Sequence, residues 1–327
     1  MAAAEKIKDL IKSFADNDEE SFYAIAMQIA ASEARKGHSN VANDLKNLIE
    51  KAKRSRSTSS ITNILKHPVT KEIREIQDLI EIVTPTFKLS DMVLAEEIHQ
   101  TLNRIIKEQR KFDELKQFNL MPRRKLLLTG PPGCGKTMTA EALASELAIP
   151  LFSIRLDGLI SRYMGDTIAK LRQIFNVMNS KRGVYLFDEF DSIGSNRSYG
   201  NDVGEIKRVL NSFLLFIEKD RSNSLIIAAT NMPESLDKAL FRRFDDIIEY
   251  PLPDKQEIAE LFKKNLGMLE GISTEKIEKI SEQAVGLSFA DITRVSQDAL
   301  KEMIISDKNR ISNKLIISFI KRRKMLN

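Results

Sequence analysis

Leu126-Leu127-Leu128-Thr129-Gly130-Pro131-Pro132-Gly133-Cys134-Gly135-Lys136-Thr137 decides the reading of this chain. An apolar run ends on a glycine, four residues follow, and Gly-Lys-Thr closes the stretch. That spacing is the phosphate loop G-x-x-x-x-G-K-S/T. The residue types follow from the chemistry. Glycines let backbone N–H groups turn inward around phosphate oxygens. A helix beginning at the end of the loop adds partial positive charge. The apolar run predicts a buried parallel strand, and Met138 to Leu147 predicts a helix. Lys136 is expected to reach the outer phosphates, and the Thr137 hydroxyl to ligate Mg²⁺. Gly130, Pro131, Pro132, Gly133, Cys134, Gly135, Lys136, Thr137 and Met138 are the candidate nucleotide cradle.

Val184-Tyr185-Leu186-Phe187-Asp188-Glu189 is a second apolar run, ending in two acids. A buried strand delivers such carboxylates to the sheet edge where open α/β folds bind ligands. Successive residues point to opposite sides of a strand, so the two acids can take separate roles. Asp188 is the candidate Mg²⁺ holder, through water, and Glu189 the candidate base for an attacking water. Leu225-Ile226-Ile227-Ala228-Ala229-Thr230-Asn231 is a third buried strand with a polar tip. Asn231 is placed to bond a γ-phosphate or that water; its alternative role is a cap. Leu240-Phe241-Arg242-Arg243-Phe244-Asp245 sets two arginines just past a short helix. An arginine inserted into a neighbouring site stabilises charge on a transferring phosphoryl group.

With those residues in order, the chain resembles an AAA-type ATPase over about residues 85 to 320. Pro251-Leu252-Pro253-Asp254 resembles that family's hinge into a helical lid. The resemblance implies a homo-oligomeric, hexameric ring with ATP and Mg²⁺ between subunits and an arginine finger supplied in trans. Arg242 and Arg243 are both candidates for that finger. Ser161-Arg162-Tyr163-Met164-Gly165-Asp166 resembles the first pore loop, in which Tyr163 and Met164 would grip an extended protein substrate. A buried Tyr–Met pair is the other reading of that segment. Gly165 and Asp166 then start a helix with Ile168, Leu171, Ile174, Phe175 and Met178 on one face. In the lid, Gly286-Leu287-Ser288-Phe289-Ala290-Asp291 departs from the pattern, because many relatives carry Gly where this chain has Phe289. No lid arginine stands at that spot to read the γ-phosphate.

Organisation along the chain is modular. The expected fold is an α/β P-loop NTPase core with a parallel sheet, an all-α C-terminal lid and a small helical N-terminal module. Residues 1–53 read as three short helices. Ile7, Leu10, Ile11 and Phe14 form one stripe, and Phe22, Ile25, Ala26, Ile29 and Ala30 a second that ends near Gly37. Ser39 can cap a third, with Val41, Leu45, Leu48 and Ile49 inward. Residues 54–84 read as a polar linker, Arg54 to Ser60, and a helical stretch from about 71 to 83. Residues 85–252 are the core and 253–327 the lid. Residues 1–53 carry no nucleotide motif, so they are expected to recruit a separate protease or adaptor.

Bulk properties bound the rest. The chain has 327 residues, is 42% hydrophobic and carries a net charge of +5. Its apolar runs fall far short of the about 20 residues of a membrane-spanning helix. Met1 to Lys6 offers no apolar signal segment. Cys134 is the single cysteine, so no internal disulfide can form. These features point to a cytoplasmic address without membrane contact. Cys134 in the loop reads as a small filler or an oxidant-sensitive site. His38, His67 and His99 lie outside the motifs. The basic end Lys321-Arg322-Arg323-Lys324 reads as a solvated helix terminus or a contact for nucleic acid or an acidic partner.

Three functions fit. The first is an ATP-driven remodeller or unfoldase of protein, with any proteolysis coming from a partner because the chain stops after the lid. The second is a DNA-acting AAA protein such as an initiator, clamp loader or transposition helper. The third is an ATP-dependent switch. The aromatic pore-loop signature favours the first, and Glu189 with the arginine pair disfavours the third. The stretch Phe22 to His38, with Leu287-Ser288-Phe289-Ala290, is also similar to small bacterial AAA ATPases encoded beside subtilisin-like proteases, some of which resemble phage-defence systems.

Overall fold

A computed structural model describes residues 19–35, 37–38, 41–46, 49, 76, 78–156, 158–159, 166–194, 203–267, 274–307 and 310–326. The chain divides into two compact units, Met1–His67 and Pro68–Asn327. In the first, Glu19–Arg35 is a helix with Arg35 in its last turn, where a cation suits the dipole. Gly37 follows at φ 89°, and its N–H donates to the Ala34 carbonyl (3.1 Å). Residues 41–46 are helical as expected, but the inward face differs from the one read in the sequence. Val41 is half exposed and Ala42 is buried instead, while Ile49 is buried as read. The expected first helix (Ile7–Phe14), Leu48 and the Arg54–Ser60 linker lie outside the described residues.

The second unit is built on a six-stranded sheet in the order β1-β3-β4-β5-β2-β6. The strands are β1 (Ile80–Val83), β2 (Lys125–Thr129), β3 (Leu151–Arg155), β4 (Val184–Asp188), β5 (Leu225–Thr230) and β6 (Asp246–Glu249). All pair in parallel except β1, which runs antiparallel along β3. The strand at Ile80–Val83 corrects the helix expected up to residue 83. These four residues are mostly β-branched and gain a full ladder on the open edge of β3.

Alternation along the strands builds two cores. Leu127, Phe187 and Ala228 face one side, packed on α3 (Thr167–Ser180) and α4 (Val203–Lys219). Leu126, Leu128, Leu186 and Ile227 face the other, packed on α1 (Glu96–Arg110) and α2 (Lys136–Leu147). Covering both faces is what allows a parallel sheet of nearly unbroken Leu, Ile and Ala. The first core is aromatic at its centre. Phe213 is fully buried, with ring centroids 5.1 Å from Phe187 and 4.9 Å from Phe190. Truncating such a ring costs roughly 3–5 kcal/mol.

Among the described residues four helices form the lid: α5 (Lys255–Leu266), α6 (Thr274–Ala284), α7 (Phe289–Ile305) and α8 (Asn313–Lys324). Their apolar faces share one core that includes Phe262, Ile280, Ile292, Ile316 and Ile320. Capping boxes start α5, at Asp254 and Glu257, and α7, at Ser288 and Asp291. No helix among the described residues is long and apolar enough to cross a membrane.

Candidate nucleotide site

The loop between β2 and α2 is shaped by glycine and cannot be built otherwise. Gly130 sits at φ 135°, and a Cβ there would overlap the Tyr250 carbonyl oxygen. Gly133 sits at φ 76°, and a Cβ there would lie 2.7 Å from Ser288 Oγ. Both conformations are poorly accessible to L-residues. The loop therefore packs against the exit of β6 on one side and the lid on the other.

Lys136, the first residue of α2, is 7% exposed. Its ammonium donates to the carbonyls of Gly130 (2.6 Å) and Pro131 (2.8 Å) and to Asn231 Oδ1 (2.8 Å). Burial pulls its pKa below the ordinary lysine value, against the pull of the Cys134, Asp188 and Asp191 charges that favours the cation. The cation thus rests against three neutral oxygens. Thr137 Oγ donates to Asp188 Oδ2 (2.7 Å), which brings the end of the loop to the tip of β4. Glu189, the next residue, is exposed, and its backbone takes φ 50°. Two neighbours hold that strained turn. The Glu189 N–H donates to Asp188 Oδ1 (2.9 Å), and the Phe190 N–H donates to the Ala229 carbonyl (2.9 Å) while its ring is buried.

Lys136, Thr137, Asp188, Glu189 and Asn231 therefore converge on one cleft of about 720 Å³. Pro132, Gly133, Cys134, Gly135 and Met138 also line it. Cys134 is buried, and burial raises its thiol pKa. The opposite wall comes from Phe87, Met92 and Val93 and from lid residues Leu261, Lys264, Phe289, Thr293 and Arg294. Phe289, the departure noted in the lid, packs against both the core and the lid clusters where it lines the cleft.

Several contributors were invisible in sequence patterns. Asp191 accepts the Thr230 hydroxyl (3.0 Å) and the Asn231 N–H (3.4 Å), so it steers the tip of β5. Glu141 accepts the N–H (2.7 Å) and hydroxyl (2.9 Å) of Thr86 and so fixes the segment carrying Phe87. Lys264 donates to the Ser90 carbonyl (2.8 Å), tying lid to core. An acid following Asp188-Glu189 by two residues was the one local hint, for Asp191.

The arginine pair stands apart from this cleft. Arg243 makes a 3.4 Å ion pair with Glu218 near the end of α4. Arg242 is exposed and has no acidic partner among the described residues. Tyr163 and Met164 lie outside the described residues. Among the described residues no cluster of His, Cys, Asp and Glu has the make-up of a metal centre of its own.

Residues 126–252 match the model of the ATPase family associated with various cellular activities (AAA). The uncharacterized AAA family ATPase y4kL of Sinorhizobium fredii is 35% identical over 317 residues, covering 96% of this chain and 93% of that protein. The chain belongs to the AAA family of ATPases. Protein SAV of Sulfolobus acidocaldarius is 32% identical over 252 residues, 74% of this AAA chain but 31% of that longer protein. The AAA domain of FIGL-1, known from a crystal structure, shares the fold, with a TM-score of 0.63 at 24% identity over 79% of this chain and 90% of that one.

Proposed function

We propose that this AAA chain is an Mg²⁺-dependent ATPase whose hydrolysis drives the remodelling, unfolding or threading of protein substrates through a hexameric ring. The observation that carries the reading is the convergence of Lys136, Thr137, Asp188, Glu189 and Asn231 on one cleft. The residues fit the nucleotide. Lys136 exchanges its bonds to the loop carbonyls and Asn231 for phosphate oxygens, a charge-assisted gain that relieves the buried cation. The glycine cradle leaves room for backbone N–H groups to approach the same oxygens.

Thr137 Oγ and Asp188 Oδ2 would hold the cation, since both are hard oxygen donors and already meet. When bound, Mg²⁺ neutralises phosphate charge. Glu189 orients a water and accepts its proton as the water oxygen bonds the γ-phosphorus. The bond to the bridging oxygen breaks, leaving ADP and phosphate. Asn231, steered by Asp191, fixes the γ-phosphate or the water.

The arginine pair supports a shared site. Arg242 is solvent-facing and remote from its own chain's cleft, as a finger acting across subunits must be. Tyr163 and Met164 supply the grip on substrate, and residues 1–53 recruit a separate protease or adaptor. A DNA-acting role is the alternative, in which Lys321–Lys324 touches phosphate.

The deciding experiment is ATPase rate against protein concentration, alone, with an unfolded polypeptide and with DNA. A rate per chain that rises with concentration and is stimulated by polypeptide is expected, with the stimulation lost in Tyr163→Ala at an unchanged melting temperature. Stimulation by DNA alone would favour the second reading. Absence of nucleotide binding that responds to Lys136→Ala would sink both.

A further inference from the structure

The lid meets the phosphate loop at the first turn of α7, and that turn is gripped from behind by the C-terminal helix. The Ala290 N–H donates to the Gly133 carbonyl (3.1 Å). Ala290 is the second residue of α7, so its place is set by the cap of that helix. Ser288 Oγ accepts the Asp291 N–H (3.2 Å), and Asp291 Oδ2 accepts the Ser288 hydroxyl (2.7 Å). The second oxygen, Asp291 Oδ1, accepts Arg323 Nε (2.6 Å) from the last turn of α8. The Asp291 side chain is 11% exposed and that of Arg323 is 26% exposed. A carboxylate this sheltered is costly to leave without its cation.

The rest of α8 does not need the pair. Ile316 and Ile320 are fully buried in the lid core and hold the helix in place. Lys321, Arg322 and Lys324 are exposed. Within that run of four cations, the structure singles out Arg323 as the one turned inward onto Asp291. A hollow of about 180 Å³ lined by Arg322, Arg323, Asp298 and Phe319 borders the arginine's side of the pair.

We infer that Arg323 is a positioning residue for nucleotide: through Asp291 it fixes the cap of α7 and thereby how closely the lid's first turn presses on Gly133. The C-terminal helix is then coupled to the affinity of the cleft without touching its contents. Without the guanidinium, Asp291 turns toward water or loses its cap geometry, and the Ala290–Gly133 bond lengthens. Coupling between distinct sites of this kind is typically 5- to 150-fold in affinity. A single ion pair that acts through the cap, without touching nucleotide, belongs at the low end.

The inference rests on the reading of the cleft as a nucleotide site, and the test separates the two. Full-length wild type, Arg323→Ala, Arg323→Lys and Arg322→Ala are titrated with a fluorescent ADP analogue, and their ATPase KM and kcat and their melting temperatures are compared. Arg323→Ala is expected to weaken ADP binding by about 5- to 15-fold, with the loss falling on KM more than on kcat. Arg323→Lys restores most of the affinity, and Arg322→Ala matches wild type. A wild-type affinity in Arg323→Ala overturns the inference and leaves the nucleotide reading standing. So does a loss in Arg323→Lys equal to that in Arg323→Ala, or a loss as large in Arg322→Ala. A wild-type chain that binds no ADP overturns the nucleotide reading and the inference with it. If Arg323→Ala unfolds, Arg323→Lys and Asp291→Asn carry the comparison: weakened ADP binding in folded Asp291→Asn supports the coupling, and unchanged binding rejects it.

Discussion

The Thr137 hydroxyl donates to Asp188 across 2.7 Å, closing the phosphate loop onto the tip of β4. Two oxygen donors of the type Mg²⁺ prefers are thereby brought together by the fold alone. Thr137→Ala removes one of them and leaves Asp188 in place. ATP affinity in millimolar Mg²⁺ should then fall by about 10-fold or more, roughly the worth of one charged hydrogen-bonding partner. Affinity in EDTA should fall much less. A titration in both buffers checks this, and an equal loss in both would place Thr137 outside the cation's reach.

Glu189→Gln keeps the shape of the turn and removes the base. The variant should bind ATP as tightly as wild type and hydrolyse it at least ~100-fold more slowly. Single-turnover kinetics read the step directly. A wild-type hydrolysis rate would remove Glu189 from the role of base.

Arg242 and Arg243 should separate. Arg243 is engaged with Glu218 in its own chain, while Arg242 faces solvent. Arg242→Ala should leave ATP binding intact and lower turnover by about 10³, the scale of an arginine finger. Arg243→Ala should lose less. Mixing Glu189→Gln with Arg242→Ala should restore activity where a native Glu189 meets a native Arg242 from another subunit. A larger loss in Arg243→Ala would exchange their roles, and absence of restored activity in the mixture would argue for a site within one chain.

Cys134 should be a poor nucleophile. It is buried, and desolvation holds its thiol above the ordinary value, with the Lys136 charge opposing. The folded chain therefore keeps its proton through the range where an unfolded thiol ionises. The contribution to stability is therefore fully present below that range and is lost as pH rises through it toward the folded thiol's higher pKa, because only the unfolded state sheds the proton there. Iodoacetamide at pH 7.5 should label the native chain at least ~10-fold more slowly than the urea-unfolded chain. Equal rates would mean that the thiol is open to solvent.

Much of this was legible because the phosphate loop, the acids of β4 and the tip of β5 are consecutive residues. Their local order carries both the strand and the chemistry at its end. The segment running into β1 misled for a physical reason. Ile76, Leu79, Ile80 and Val83 fall at helical spacing, yet Ile76 and Leu79 anchor a turn and Ile80 opens a strand. In the N-terminal unit, Val41 and Ala42 are neighbours on a short helix, and a shift of one residue reverses which of them is inside. Asp191, Glu141 and Arg323 act on partners 40, 55 and 32 residues away. Only the fold brings those pairs together, so apart from the acid spacing at Asp191 no local pattern marks them.

Glu189 is a left-handed residue in a chain where most others at positive φ are glycine or sit in surface turns. Relieving such a conformation with glycine recovers about 1 kcal/mol. If Glu189 is the base proposed above, Glu189→Gly would therefore raise the melting temperature and lose turnover together, a trade of durability against activity at a single backbone position.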